Sequence, residues 1–237
     1  MNTRISTTKT RPPLPPEYEK IFEEAYKANR EGRGIAAFLS QRMESWMHRA
    51  VAKSKFGQNS VLEIGAGTLN HLKYELPFQT DSNIRYPSYD IIEPFTKLYE
   101  DSLYLDKIRN IYSDITDIPQ DTLGQYDRII SIAVFEHVLD LDNLLDQSRR
   151  LLKDDGLHVI AIPNEGHFLW RLGWSCTTGL AFRMKYGLDY SVIINHEHVN
   201  TADEIEVLLT KYFRIERCKV LGLTKKLCLY RVYFCRK

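Results

Sequence analysis

Apolar positions recur at helical spacing in the first part of the chain. After Pro16, a residue suited to the first turn of a helix, apolar side chains recur every three or four positions until two glycines end the pattern. A second stripe runs from Ile35 to Val51. The pattern predicts N-terminal helices within residues 16–59. The polar, proline-rich residues 1–15 before them are expected to form a disordered arm or to lie extended on the surface.

From residue 60 onward, short apolar runs alternate with helical segments, a pattern typical of βαβ units and a parallel sheet. The predicted strands are 60–65, 88–93, 109–113, 127–133, 157–162, 214–220 and 227–235. These runs predict an α/β fold, a doubly wound, Rossmann-like sheet of seven strands in one domain that spans residues 60–237.

Two helices of this domain carry end signals. Asp140 or Asp142 can cap the helix after the fourth strand, and Gly156 is expected to end it. A capping box at Thr201 and Glu204 opens another helix at about residue 202. Between the fifth strand and this helix lies a connection of unusual length, about residues 164–199, which we interpret as an insertion.

The composition excludes some classes of protein. With 43% hydrophobic and 27% charged residues, the chain resembles a soluble globular protein. Its 32 Lys and Arg nearly balance 31 Asp and Glu, so the basic excess typical of nucleic-acid binding is missing. No apolar run approaches the roughly 18 residues that span a bilayer, and the N-terminus lacks the apolar core of a signal peptide. We therefore expect a cytoplasmic location and no nucleic-acid partner.

The end of the first strand carries a glycine loop. Ligands of open parallel sheets bind beyond the carboxyl ends of the strands. There the sequence reads Glu63-Ile-Gly65-Ala66-Gly67, and glycines let the backbone turn tightly and approach a ligand closely. A dinucleotide site would prefer a third glycine where this chain has Asn70, which disfavours NAD and FAD.

The second and third strands end in acidic residues. Glu93 follows Gly67 by 26 residues, and its carboxylate can accept hydrogen bonds from both ribose hydroxyls of an adenosine. Asp114 can accept one from an adenine amino group, while Ile115 packs on the ring. Together the three strand ends indicate an adenosyl ligand.

The fourth strand runs into Glu136-His137-Val138. Over about residues 60–215 this series resembles the class I S-adenosylmethionine-dependent methyltransferases, most closely the small-molecule branch whose fourth strand ends in "EHV". The resemblance implies S-adenosylmethionine as the cofactor. It also implies binding roles for eight residues: Glu63, Gly65, Ala66 and Gly67 at the methionine, Glu93 at the ribose, Asp114 and Ile115 at the adenine, and Ile132 at the sulfonium.

Methyl transfer is an in-line displacement, so the protein must align the acceptor, and a hydroxyl acceptor also needs a proton acceptor. The candidates for this base are His137, His196 and His198. His137 could instead steady its loop. Glu165, directly after the fifth strand, could orient a polar acceptor or could be an ordinary loop residue.

A metal is an alternative use of the same histidines. His196 and His198 could bind an ion together with Glu136 or Glu197. However, no second His or Cys pair with zinc-like spacing accompanies them. We therefore expect no metal.

Aromatic residues with interleaved Arg and Lys fill the 164–199 connection, which we interpret as a lid over the acceptor. Such residues suit a sugar ring, a phosphate-bearing ligand or a peripheral membrane contact, or they simply pack on the sheet. Stretches such as "TTGLAFR" and "HEHVNT" resemble bacterial enzymes associated with methylation of surface saccharides. The resemblance favours O-methylation of a small-molecule substrate such as a sugar or nucleotide sugar. Alternatives are a lipid or quinone acceptor and a non-catalytic partner subunit.

Overall fold

The computed structural model describes residues 9–22, 35–54, 60–75 and 88–237. Residues 16–22 form helix α1, as the pattern predicts; its predicted continuation toward Gly32 lies outside the described residues. The other helices are α2 (Ile35–Ala52), α3 (Leu72–Glu75), α4 (Leu141–Leu151), α5 (Phe168–Trp174), α6 (Leu180–Tyr186), α7 (Ser191–Glu197) and α8 (Ala202–Tyr212). None of the helices in these ranges is long and apolar enough to cross a membrane.

One sheet of seven strands confirms the predicted fold class. The strands are β1 (Ser60–Ile64), β2 (Ser88–Ile92), β3 (Asn110–Tyr112), β4 (Tyr126–Ile132), β5 (Leu152–Pro163), β6 (Arg214–Gly222) and β7 (Cys228–Arg236). Their order is β3-β2-β1-β4-β5-β7-β6. The strands β1 to β5 pair in parallel, and β7 is antiparallel to both of its neighbours.

The central strands are buried on both faces, which explains their continuous apolar runs. On one face, Leu145 of α4 and Ile205 of α8 belong to the same buried cluster as Ile129 of β4. On the other face, Met47 and Val51 of α2 join a second cluster. The register then aligns the strand ends, because Ile64 pairs with both Ile92 and Ser131. The residues that follow β1, β2 and β4 therefore meet at one edge of the sheet.

The end of α4 differs from the prediction. Asp140 caps the helix by accepting a hydrogen bond from the Asn143 backbone N–H at 3.2 Å, but the helix ends at Leu151, before Gly156. Gly156 lies within β5, opposite a register shift in β4, and a Cβ there would meet the Leu152 side chain at 2.7 Å. The glycine therefore lies at an irregular point of the strand, where close packing leaves no room for a side chain, and it does not end the helix.

The predicted capping box at Thr201 and Glu204 is confirmed at the start of α8. Before it, the 164–199 connection folds as α5, a π-helical segment over Ser175–Gly179, α6 and α7. The buried side chains of this connection, which we interpret as an inserted segment, form a small core with Tyr18 of α1, separate from the two clusters on the sheet.

Residues 9–15 lie along the surface of the protein, which is the second of the two alternatives expected for the N-terminal arm. Lys9 donates hydrogen bonds through Nζ to the Val199 carbonyl at 2.8 Å and to Glu204 at 2.9 Å, and Arg11 donates to the His137 carbonyl at 3.3 Å. Charged donors form stronger hydrogen bonds than neutral ones, which favours an extended chain on this surface. Residues 1–8 of the predicted arm lie outside the described residues.

Candidate functional site

The glycine loop after β1 requires its two glycines for different reasons. Gly65 has φ +70° and Gly67 has φ +53°, in the left-handed region that favours glycine. A Cβ on Gly65 would meet Val134 Cγ2 at 2.4 Å, whereas a Cβ on Gly67 would meet nothing within 4 Å. Gly65 therefore permits close packing against Val134, in the chain after β4. Gly67 permits the left-handed backbone turn, and the space beside its Cα is open.

Glu93, at the end of β2, fixes this loop. Its Oε2 accepts a hydrogen bond from the Gly67 N–H at 2.8 Å, and its Oε1 accepts one from the Phe95 N–H at 3.1 Å. The side chain is buried. A carboxylate offers about four acceptor positions. Each oxygen of Glu93 thus retains capacity to accept a hydrogen bond from a ligand.

Glu63 brings a second carboxyl group to the same wall. It is buried at the end of β1, where Tyr89 donates a hydrogen bond to its Oε2 at 2.8 Å. Burial raises the pKa of Glu63 to about 8, although the hydrogen bond from Tyr89 acts in the opposite direction. Near neutral pH the group is therefore mainly an uncharged carboxylic acid.

These residues line a cavity of about 600 Å³, which we call the larger cavity. The predicted site residues in its wall are Glu63, Gly65, Ala66, Gly67, Glu93, Ile132 and His137. Asp114 and Ile115 stand outside this lining: Asp114 is exposed and accepts a hydrogen bond from the Thr116 N–H at 2.9 Å, and Ile115 is in the core. Phe95, an exposed aromatic residue, does line the cavity, and only its closeness to Glu93 could have indicated it.

Sequence reasoning also missed a buried polar chain that reaches the larger cavity. His48 and His71 both line it, with their Nδ1 atoms 3.1 Å apart. His71 Nε2 lies 2.8 Å from Glu75, which in turn pairs with buried Arg128 at 2.5 Å. Burial lowers the pKa of His48 to about 3, so this imidazole is neutral. His71 and Glu75 stand four positions apart, a spacing that can pair side chains on a helix, but no sequence signal connects them with His48 or Arg128.

A smaller cavity of about 180 Å³ lies between the inserted segment, α2 and β7. His137, Tyr190 and Glu197 line both cavities, so the two are contiguous. The wall of the smaller cavity includes aromatic and hydroxyl side chains of the inserted segment, namely Trp170, Trp174, Thr177 and Thr178.

His198 is a titratable group in the wall of the smaller cavity, and a carboxylate fixes the orientation of its ring. Its Nδ1 lies 2.7 Å from Glu165 Oε2, and the same oxygen accepts a hydrogen bond from Trp170 Nε1 at 2.7 Å. Burial alone would lower the pKa of His198, but the hydrogen bond to Glu165 and the nearby charge of Glu136 raise it above its usual value. With Nδ1–H directed at Glu165, Nε2 is the nitrogen that can accept a proton. Glu165 itself lines neither cavity, and it contacts only the Nδ1 side of the His198 ring.

His137 stands beside His198, with the two ring centroids 4.8 Å apart and the rings edge to face. Its Nδ1 lies 3.1 Å from the Glu197 carbonyl oxygen. Burial raises the pKa of Glu136 to about 7, and among the described residues its Oε2 has no hydrogen-bond partner. Ligand atoms of Glu136, His137 and His198 lie within 4.8 Å of one another, so these three residues could hold a metal ion.

His196 is placed differently from the other two histidines. It is directed at the N-terminal residues, with Nδ1 2.6 Å from the Pro12 carbonyl oxygen, and its ring contacts Phe22 edge to face. It lines neither cavity. The structure therefore separates His196 from His198, although the two residues stand only two positions apart.

The larger cavity fits an adenosyl ligand that carries an amino-acid group. Its volume of about 600 Å³ lies within the range of small-molecule and cofactor sites. A carboxylate with spare acceptor positions at Glu93 suits a ribose diol, and the open space at Gly67 admits a closely bound group.

Known proteins agree with this geometry. A family model described as a methyltransferase domain matches residues 35–212. The fold is similar to that of a methyltransferase from Thermotoga maritima named as a "possible histamine N-methyltransferase", with a TM-score of 0.59 and 16% identity over 93% of this chain and 99% of that one. No curated protein sequence matches the chain.

Two further structures show how widely the fold is used. The mitomycin 7-O-methyltransferase MmcR aligns with a TM-score of 0.57 and 13% identity over 94% of this chain and 69% of that one. The carbon methyltransferase CurJ aligns with a TM-score of 0.54 and 17% identity over 94% of this chain and 59% of that one. These names span transfer to nitrogen, oxygen and carbon, so the likeness defines the fold and not the acceptor. Because the family model covers most of the chain, the protein belongs to the methyltransferase-domain family and is an enzyme whose methyl donor is S-adenosylmethionine.

Proposed function

We propose that this enzyme methylates a hydroxyl group of a small polar acceptor such as a sugar or nucleotide sugar, in the cytoplasm. The observation that carries the proposal is His198, held by Glu165 at 2.7 Å in the wall of a cavity contiguous with the larger one. Transfer to oxygen needs a proton acceptor at this position, and a histidine fixed by a carboxylate suits that task.

On the donor side, the glycine loop, Glu63 and Ile132 are assigned to the methionine and sulfonium end, and Glu93 to the ribose. The bound donor supplies an electrophilic methyl group. Asp114 and Ile115 remain candidates for the adenine because β3 lies next to β2, and Phe95 adds an aromatic face beside Glu93.

On the acceptor side, Nε2 of His198 would accept the proton of the acceptor hydroxyl. The bound donor would supply its methyl group to that hydroxyl oxygen and, with the sulfur–methyl bond broken, would leave as S-adenosylhomocysteine. Glu165 accepts the Nδ1–H hydrogen bond throughout, which fixes the ring orientation and stabilises the imidazolium that forms. His137, next to His198 and in the wall of both cavities, is assigned to orienting the same hydroxyl.

The chemistry of the smaller cavity favours a saccharide. The indole rings of Trp170 and Trp174 offer flat apolar faces, which suit the C–H face of a sugar ring. Thr177 and Thr178 add hydroxyl groups that can both donate and accept hydrogen bonds. The inserted segment, residues 164–199, is in this proposal the acceptor lid.

The test compares two histidines that are close in sequence and separate in space. His198→Gln is expected to lower kcat for release of S-adenosylhomocysteine by about 10²- to 10⁴-fold over a panel of nucleotide sugars, because the general base is lost. The Kd for S-adenosylmethionine, from calorimetry, is expected to stay unchanged. His196→Gln serves as the matched control and should retain activity.

Full activity of His198→Gln would contradict the proposed base, and absence of turnover across the panel would contradict the saccharide class. A chelator provides a further distinction. Loss of activity with EDTA and its recovery with Zn²⁺ or Mn²⁺ would assign Glu136, His137 and His198 to a metal instead of proton transfer.

A further inference from the structure

The outward side of the inserted segment carries a row of exposed apolar side chains. Phe168 (70% exposed), Leu172 (44%), Leu180 (53%) and Met184 (81%) follow one another at multiples of four positions. Exposed Cys176 occupies the remaining place in the series. We call these five residues the outer stripe.

The helical geometry keeps the outer stripe on about one side. The α5, π-helical and α6 segments follow one another directly, and the residues at their junctions keep right-handed helical backbone angles. In an α-helix, residues four apart drift by about 40° around the axis. The π segment between residues 175 and 179 holds more residues per turn and turns the stripe back. The irregularity therefore preserves an apolar face over the whole length.

The opposite side of the same helix is already occupied. Trp170, Trp174 and Thr177 face the smaller cavity, and Phe182 is buried in the core shared with α1. These residues pack the helix against the rest of the protein, and the outer stripe stays exposed to solvent. A helix that is apolar on both sides usually has a second apolar neighbour.

The Lys and Arg residues within residues 166–188 are accompanied there by no acidic residue. Arg171, Arg183 and Lys185 are exposed. Asp189 follows this range directly. Hydrogen bonds from Ser191 lower its pKa, and Arg183 and Arg171 contribute to this shift. Long cationic side chains beside an apolar face are typical of helices that lie at a membrane surface.

We infer that the outer stripe docks the enzyme on an anionic lipid bilayer, with its apolar side chains at the boundary between headgroups and acyl chains. The flanking cations contact the headgroup phosphates. Stacking of two copies through this face would bring cations of the same sign together, which disfavours a dimer as the occupant. Docking would hold the smaller cavity within about one helix diameter, roughly 10 Å, of the headgroups.

Vesicle co-sedimentation tests this inference. The wild-type protein is expected to bind phosphatidylcholine vesicles that contain phosphatidylglycerol, and to bind pure phosphatidylcholine vesicles more weakly. The double substitution Leu172→Gln/Met184→Gln should lower the partition coefficient by about tenfold or more, since less apolar surface is buried. Arg171→Gln/Arg183→Gln should lower it by about tenfold on anionic vesicles only, and added salt should reproduce that loss.

Leu103→Gln is the matched control, because Leu103 is 92% exposed and lies outside the inserted segment. It should bind vesicles like the wild type, and every variant should bind S-adenosylhomocysteine with unchanged Kd, which shows that it is folded. Absence of wild-type binding to anionic vesicles, or an equal loss in Leu103→Gln, would overturn the inference. A dimer in light scattering that Leu172→Gln/Met184→Gln dissolves, without vesicle binding, would assign the stripe to a second copy. None of these assays uses a methyl acceptor, so their failure is distinct from failure of the proposed function.

Discussion

The glycine loop in the larger cavity and His198 in the smaller one are held in place by different kinds of contact. The loop is fixed by backbone donors, since the Gly67 N–H binds the carboxylate of Glu93 and the Gly65 N–H donates to the Ile92 carbonyl at 2.8 Å. His198 is fixed by a side-chain contact with Glu165, which lies 33 positions earlier. We call the wall of the larger cavity the donor wall and that of the smaller cavity, after its proposed role, the acceptor wall. The donor wall thus follows directly from strand pairing, whereas the acceptor wall depends on how the long 164–199 connection folds.

A buried carboxyl group of raised pKa lines the larger cavity, and another lies next to His137, but the two groups have different surroundings. Glu63 reaches a pKa of about 8 with a tyrosine as its hydrogen-bond partner, and Glu136 reaches about 7 beside His198. A neutral acid beside the glycine loop contributes shape and hydrogen bonds. A carboxyl group beside a histidine also changes the proton affinity of that histidine.

The largest expected effect follows from breaking the donor wall. Glu93→Ala removes the acceptor assigned to the ribose and leaves the Gly67 and Phe95 N–H groups without their partner. Hydrogen bonds to a charged group contribute about 1.5–3 kcal/mol each. The Kd for S-adenosylmethionine should therefore rise by about 100-fold or more in calorimetry.

The matched control for this substitution is Glu100→Ala, which changes an exposed acid on the same connection. Its affinity should stay at the wild-type level. A Kd for Glu93→Ala within about threefold of the wild type would show that the backbone of the loop suffices without its carboxylate.

A smaller effect concerns the free energy of unfolding, and it tests whether the buried carboxyl group of Glu63 is uncharged. The folded-state pKa of Glu63 is about 8 and its usual value is 4.5, so its contribution is fully present below about pH 4.5 and is lost as pH rises toward 8. Glu63→Gln removes this titration. The variant should gain about 2 kcal/mol relative to the wild type between about pH 5 and pH 6.5 in urea unfolding. A difference between the two proteins that does not change with pH would mean that Glu63 is ionised in the folded state.

The smallest expected effect comes from the acceptor wall. Glu165→Gln keeps an oxygen for the Nδ1–H of His198 but removes the charge that helps to raise the pKa of this histidine. The base must be neutral to accept a proton, so the acidic limb of the kcat profile should move to lower pH. The value of kcat should fall by about tenfold. A fall in kcat with an unmoved limb would assign Glu165 a structural role only.

Much of the donor wall was accessible from the sequence. The seven strands, the capping box at Thr201 and the strand-end positions of Gly65 and Glu93 follow from local periodicity and from the geometry of parallel sheets. The sequence also marked His137, because it follows the fourth strand directly. The prediction was wrong where tertiary contacts outweigh a local signal, as at Gly156, which lies within β5 and does not end α4.

By itself, then, the sequence determined the α/β sheet and the sheet edge at which the glycine loop and Glu93 meet, because both follow from local spacing of apolar residues, glycines and acids. Only the tertiary structure distinguished His198 from His196 and paired His198 with Glu165. It alone joined His48 and Arg128 to the local pair of His71 and Glu75 at the larger cavity. The physical reason is that side-chain contacts between distant segments depend on how the insertion and the N-terminal helices pack, and spacing along the chain carries no record of that packing.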